Sequence, residues 1–219
     1  MSPFILPMDS PQTTLAIVGG KGVNLSRLMR FGFPVPPGFL ITTSAYRAFV
    51  HSNNLDNAIF ALTTDRSKTG EEISAAIQLL FELGCIPTEI ISAILSAYAH
   101  FIKASSVEGA IPVVVRSSAT MEDLSEVSFA GQHESYLNVR GEQALLDAVK
   151  RCWSSLWTAR ALNYRARHNM DPLIVSMGVV VQVMVPAEAA GVLFTANPMN
   201  GSYDEVAIKG SLGIRRSHC

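Results

Sequence analysis

Four short segments of this chain carry residue types suited to gripping an anion. The first is Gly19-Gly20-Lys21-Gly22, which leads into a helix at Asn24. Glycines allow positive φ and bring backbone N–H groups close to a ligand. A helix start adds free N–H groups and a favourable dipole, and Lys21 adds a mobile charge. The segment is not a Walker A loop, because Gly22 follows the lysine where Ser or Thr belongs and the spacing differs. An ordinary glycine turn with a solvated lysine explains the same residues.

The second segment is Val113-Val114-Val115-Arg116-Ser117-Ser118-Ala119-Thr120. A buried strand ending in a cation and hydroxyls places donors where α/β proteins commonly bind ligands. Arg116 offers a planar fork to a phosphate, while Ser117, Ser118 and Thr120 offer hydroxyl donors. A turn with a surface arginine is the competing reading, and Glu122 and Asp123 follow closely enough to restrain Arg116. The third segment, Ser128-Phe129-Ala130-Gly131-Gln132, has the small residues of a loop able to close over a ligand, or of any plain loop. The fourth is Gln182, one amide in a very apolar run. It must find partners, either on a ligand such as an adenine edge or on a neighbouring backbone group.

No single anchor suffices. Micromolar binding of any ligand needs about 8 kcal/mol, whereas an exposed helix terminus supplies about 0.3–1 kcal/mol. The elements must therefore bring the segments together. Residues 23–31 read as a short helix stopped by Gly32, and Pro34, Pro36 and Pro37 hold the next stretch extended. Residues 43–53 restart a helix capped by Thr43 or Ser44. Residues 71–83 have helical spacing through Ile73, Ile77 and Leu80, and Pro87 opens another helix through Ile90, Ile94 and Tyr98. Strand character begins at 112–115, followed by a polar loop over 117–128 and a strand over 134–139. Residues 141–168 read as one long helix or a broken one. Residues 174–185 and 191–195 read as strands joined by a tight turn, and 204–208 as a last strand. The predicted class is α+β, helical over 1–110 and mixed over 111–219.

Composition narrows the function. Hydrophobic residues make up 48% and charged residues 16% of the 219 residues, which argues against disorder. A formal charge of −1 argues against a broad nucleic-acid surface. Cys85, Cys152 and Cys219 are odd in number and share no C-x-x-C spacing, so free thiols in a reducing compartment, with cytosol as the default, are expected. Residues 1–10 lack a signal peptide's basic start and apolar run. Residues 173–194 reach membrane-span length, but Gln182, Pro186 and Glu188 interrupt them and their valines favour strands.

Taken together, the segments resemble a known family. Gly19-Gly20-Lys21-Gly22-Val23-Asn24-Leu25, then Gly32-Phe33-Pro34-Val35-Pro36-Pro37-Gly38-Phe39, is similar to the opening of the ATP-binding domain of phosphoenolpyruvate synthase and pyruvate phosphate dikinase. Val115 to Asp123, Ser128 to Gln132, and Gly191-Val192-Leu193-Phe194-Thr195-Ala196-Asn197-Pro198 match in order and spacing. Residues 152–167 look closest to the rifampicin phosphotransferase branch.

The resemblance implies an ATP-grasp-like fold, incomplete at its C-terminal end, with ATP between two subdomains. It implies that Lys21 and Arg116 hold phosphates, that Gly131 and Ser135 belong to a closing flap, and that Gln182 lies near the base or ribose. Ser135 stands where rifampicin phosphotransferases usually have threonine, so the hydroxyl is retained. Full-length relatives pass a phosphoryl group from ATP to a histidine on a mobile domain, and then to pyruvate or an antibiotic. None of His51, His100, His133, His168 or His218 stands in a matching motif. The histidine and acceptor domains, and the acidic ligands for Mg2+, are expected outside these residues, on a separate partner chain or a missing continuation. The other reading is a non-catalytic remnant that binds a protein. The family's sheet continues past residue 208, so an uncovered strand edge and an aggregation-prone chain are expected as well.

Overall fold

A computed structural model describes residues 3–104, 111–120, 135–168 and 174–212. Contacts divide the chain between Met184 and Val185. The larger unit is built on a five-stranded antiparallel sheet in the order β1 (Ile5–Pro7), β2 (Gly38–Ile41), β5 (Met177–Val183), β3 (Val113–Ala119), β4 (Ser135–Val139). The sheet thus draws strands from both sides of residue 110. Two of them, β1 and β2, arise from the half that reads as helical. Their short runs are extended by pairing rather than by any strong local pattern.

Side chains alternate across a strand, and here the two faces have different partners. Phe39, Ile41, Val113, Val115, Val179 and Val181 point into the main core. There they meet α2 (Thr43–Ser52), α3 (Leu55–Thr64), α4 (Gly70–Leu83), α5 (Thr88–Ala104) and α6 (Glu142–Ser154). On α6, Leu145, Val149, Cys152 and Trp153 recur at helical spacing and are buried. Phe49 of α2 packs 5.1 Å from the Trp153 ring and 5.5 Å from Phe81 of α4, centroid to centroid. Such offset aromatic contacts add about 0.5–1.5 kcal/mol each beyond the area they bury. Thr69 and Glu72 cap α4 reciprocally, each side chain taking the other's backbone N–H.

The opposite face carries a smaller core of Leu6, Met8, Val18, Val23, Leu40 and Val180 beneath α1 (Leu15–Arg30). The valine run of β5 is therefore covered on both sides, as its composition requires. The expected long helix over 141–168 is broken. A 3-10 turn, Ser155–Trp157, separates α6 from α7 (Ala159–Arg167), and the hydroxyl of Thr158 caps α7.

The smaller unit is a hairpin of β6 (Ala189–Phe194) and β7 (Ala207–Leu212). The strands read from residues 174–185 and 191–195 do not pair with each other: β5 lies at the centre of the large sheet, and β6 pairs with β7. The last strand falls at Ala207–Leu212, three residues later than its pattern suggests. Among the described residues no single helix is long and apolar enough to cross a membrane.

Candidate functional site

Helix α1 begins at Leu15, well before the expected start, but it is two helical segments joined at Gly19, whose φ of 71° and ψ of 177° break the spiral. Only glycine adopts that combination freely. A second constraint acts at the same atom: a Cβ on Gly19 would lie 2.1 Å from the carbonyl oxygen of Ser118. The kink starts a new helical segment at Gly20 and Lys21, so their backbone lies in its first turn, at the positive end of its dipole.

Ser118 completes the junction. Its Oγ accepts from the Gly22 N–H at 3.0 Å and donates to the Val18 carbonyl at 2.7 Å. In an unbroken helix Gly22 would donate directly to Val18. The hydroxyl is inserted into that rung, and it joins the glycine–lysine segment to β3. Gly178 on β5 makes the approach possible, since a Cβ there would lie 2.6 Å from the Val18 carbonyl oxygen.

Register places the remaining candidates. Leu6, Leu40, Val180, Arg116 and Ser135 are directly paired in sequence across all five strands. Opposite residues in antiparallel strands share a face, so this row lies on the α1 side. Its first three members form part of the small core, and Arg116 and Ser135 are the polar end. Their Cβ atoms are neighbours at about 4.5–5.5 Å by the geometry of such pairs. Arg116 is half-buried and Ser135 exposed. Gln182 pairs with Val114, one step along the same face and diagonal to Arg116. Lys21, half-buried, immediately precedes the glycine bonded to Ser118. Four of the five expected site residues, Lys21, Arg116, Ser135 and Gln182, are thus carried on one side of the sheet. The fifth, Gly131, lies outside the described residues, as do Ser128 to Gln132, Glu122 and Asp123.

Two expectations change. The hydroxyls after Arg116 do not form a loop of phosphate donors, because β3 continues through Ala119. Ser117 points to the main-core face beside Val115, Ser118 holds the α1 kink, and the Thr120 hydroxyl exchanges hydrogen bonds with the Ser176 backbone at 3.2 and 3.3 Å. Gln182, only 5% exposed, donates from Nε2 to the Pro36 carbonyl at 3.0 Å. Of its two readings, satisfaction of a neighbouring backbone group is the one this bond displays. The prolines ahead of β2 supply that acceptor. Gly38 lets the strands close, since a Cβ there would lie 2.0 Å from the Val181 carbonyl. Among the described residues, no three of His, Cys, Asp and Glu come together as a metal site.

The arrangement offers one guanidinium, one ammonium, a helix start and an exposed hydroxyl along one face, which suits a polyanion with several phosphates. Comparison with known proteins places the chain in a family. The family model described as "Pyruvate phosphate dikinase, AMP/ATP-binding domain" matches residues 15–217. The chain is 42% identical over 205 residues to a phosphoenolpyruvate synthase of Aeropyrum pernix, covering 91% of this chain and 25% of that protein. It is 41% identical over 204 residues to a probable phosphoenolpyruvate synthase of Methanothermobacter thermautotrophicus, covering 91% and 30%. It is 40% identical over 208 residues to a rifampicin phosphotransferase of Streptomyces sviceus, covering 93% and 23%. The chain therefore spans about a quarter of the length of these relatives.

Proposed function

This chain belongs to the pyruvate phosphate dikinase AMP/ATP-binding domain family, and from that membership we propose that it binds ATP on the α1 side of its large sheet, with the phosphates between Lys21 and Arg116. The observation that carries the reading is the Gly22–Ser118 hydrogen bond, which brings the two anion-ready segments into contact. Lys21 acts as a point charge and Arg116 as a two-pronged donor, each charge-assisted bond contributing about 1.5–3 kcal/mol. Together with the helix start, these approach the roughly 8 kcal/mol of micromolar binding. Ser135, the first residue of β4 and opposite Arg116 in the row, adds a hydroxyl donor. Gln182 lies toward the base or ribose, its Nε2 anchored on Pro36 and its amide plane thereby fixed. The fold is ATP-grasp-like, with Lys21 from residues 1–110 and Arg116 from residues 111–219 supplying the two sides of the phosphate site.

By the same proposal, resting on the family resemblance, the phosphoryl group then passes to a histidine on another domain, for which the relatives, about four times as long as this chain, have room. Magnesium ordinarily bridges the phosphates in such transfers. The described residues do not form a set of ligands for it, so binding by this chain is argued from Lys21 and Arg116 alone. Calorimetric titration with ATP tests the proposal. Lys21→Ala and Arg116→Ala should each weaken binding by about tenfold or more, with circular dichroism unchanged. If both variants bind like the parent, the phosphate assignment fails.

A second reading, a binding module without catalysis, draws on the β6–β7 hairpin, where Leu193, Ile208 and Leu212 are all exposed. It predicts no ATP heat at all in the parent chain.

A further inference from the structure

On the main-core side of the sheet, α2, Trp157 and the residues leading into β5 wall a cavity of about 220 Å³. Its polar lining comprises Tyr46, Arg47, His51, Asp56 and Ser176. Val50, Ile59, Val175 and the Trp157 indole make the rest apolar. None of these residues belongs to the proposed nucleotide site.

Arg47 is aimed by neutral oxygens. Its Nη2 donates to Thr43 Oγ at 2.9 Å and its Nη1 to Ser176 Oγ at 3.4 Å. Thr43 is itself fixed, donating to the Ala16 carbonyl at 2.7 Å. Among the described residues no carboxylate lies within ion-pairing distance of Arg47. His51 stands one helical turn further along α2, on the same side.

A second guanidinium lies behind the indole wall. The Arg165 guanidinium stacks 4.8 Å over the Trp157 ring, is only 6% exposed, and has no hydrogen-bond partner at Nε or Nη2. A charge so far from water is poorly screened. The cavity thus has the Arg47 guanidinium in its lining, the Arg165 guanidinium behind its indole wall, and one carboxylate, Asp56.

We propose that this cavity binds a small monocarboxylate, with its carboxyl group on Arg47 and Ser176 and its hydrocarbon part against Trp157, Val50, Ile59 and Val175. Arginine's planar fork matches a carboxylate. The apolar walls favour an organic acid over a bare inorganic ion, and Asp56 opposes a dianion such as phosphate. Asp56 also offers an acceptor to a hydroxyl or ammonium group beside the carboxyl. At ~30 Å³ per water-sized group the cavity accommodates roughly six to eight non-hydrogen atoms.

The test is ligand-observed NMR titration of the whole chain with acetate, propionate, butyrate, alanine and inorganic phosphate as separate probes. Saturable binding that strengthens from acetate to butyrate is expected, with phosphate weaker than butyrate. Arg47→Lys, which keeps the charge but loses the fork, should weaken butyrate binding by about tenfold. Lys21→Ala should leave it unchanged, which separates this site from the nucleotide site. Phosphate binding as tight as butyrate, no saturation by any acid, or indifference to Arg47→Lys would each overturn the proposal.

Discussion

Ser118 and Gly22, 96 positions apart, are joined by a hydrogen bond of 3.0 Å in which the serine hydroxyl stands in for a rung of helix α1. The same hydroxyl donates to Val18, so one oxygen satisfies both broken ends of the helical ladder. Ser118→Ala should leave a buried N–H and a buried carbonyl without partners, costing about 1–3 kcal/mol. Denaturant unfolding measures that cost directly. ATP affinity should fall with it, since Lys21 depends on the position of this turn. A variant as stable as the parent would mean that water replaces the hydroxyl and the kink stands without it.

Gly19 is less replaceable. Alanine there would face both a backbone conformation that L-residues rarely adopt, at φ 71°, and a Cβ 2.1 Å from the Ser118 carbonyl oxygen. Strained backbone alone costs about 1–3 kcal/mol, and the overlap can be relieved only by moving α1 off the sheet. Gly19→Ala is expected to cost at least about 3 kcal/mol and to lose ATP binding even where the chain remains folded. Gly32→Ala makes a useful control. Its φ is also positive, but nothing lies within 4 Å of an added Cβ, so only the smaller backbone cost should appear.

The Arg165 guanidinium is buried with two nitrogens unpaired, and burial pushes its pKa down to about 10, below the ordinary arginine range. The native state therefore holds this proton less tightly than the unfolded chain does. The resulting destabilisation is fully present below about pH 10 and is relieved as the pH rises above that value toward the ordinary arginine range. Arg165→Met keeps most of the apolar stem over Trp157 and removes the charge. At neutral pH the unfolding midpoint should stay level or rise, because an unpaired buried charge is costlier than an apolar side chain of similar length. A loss of more than about 1 kcal/mol would show that the guanidinium is worth more in place than removed.

Much of the site was legible because its constraints are local. Gly19-Gly20-Lys21-Gly22 announces a turn at a helix start through residue type alone, and Val113-Val114-Val115-Arg116 announces a buried strand ending in a cation. That Arg116 and Ser135 are opposite one another was not legible, since register depends on which strands pair and where. Ser118 shows the limit most clearly. Its hydroxyl suits a phosphate, but the helix break 96 residues earlier uses both of its hydrogen-bonding capacities. Strands β1 and β2 were missed for a related reason. Ile5–Pro7 and Gly38–Ile41 are too short for periodicity to register, and their extended form comes from neighbours distant in sequence. Gly38 and Gly178 were readable as glycines but not as close approaches, because the carbonyls they admit belong to other elements.

The hairpin of the smaller unit carries the last prediction. Its register pairs Ala189 with Leu212, Gly191 with Gly210 and Leu193 with Ile208, so these six residues share one face with no polar side chain on it. Leu193, Ile208 and Leu212 are 58%, 74% and 88% exposed. The other face places Lys209 and Ser211 beside Val192 and Ala190, and is mixed. A flat apolar face on a two-stranded ribbon that also presents backbone edges favours association between copies. Light scattering by the parent chain should rise with concentration, and Ile208→Lys together with Leu212→Lys should suppress that rise. The substitutions lie outside Met1–Met184, so ATP affinity and the melting of the larger unit should not change. Parent chain that stays monomeric across the concentration series would show that this face, although apolar, does not drive association, and the expectation of an aggregation-prone chain would fall with it.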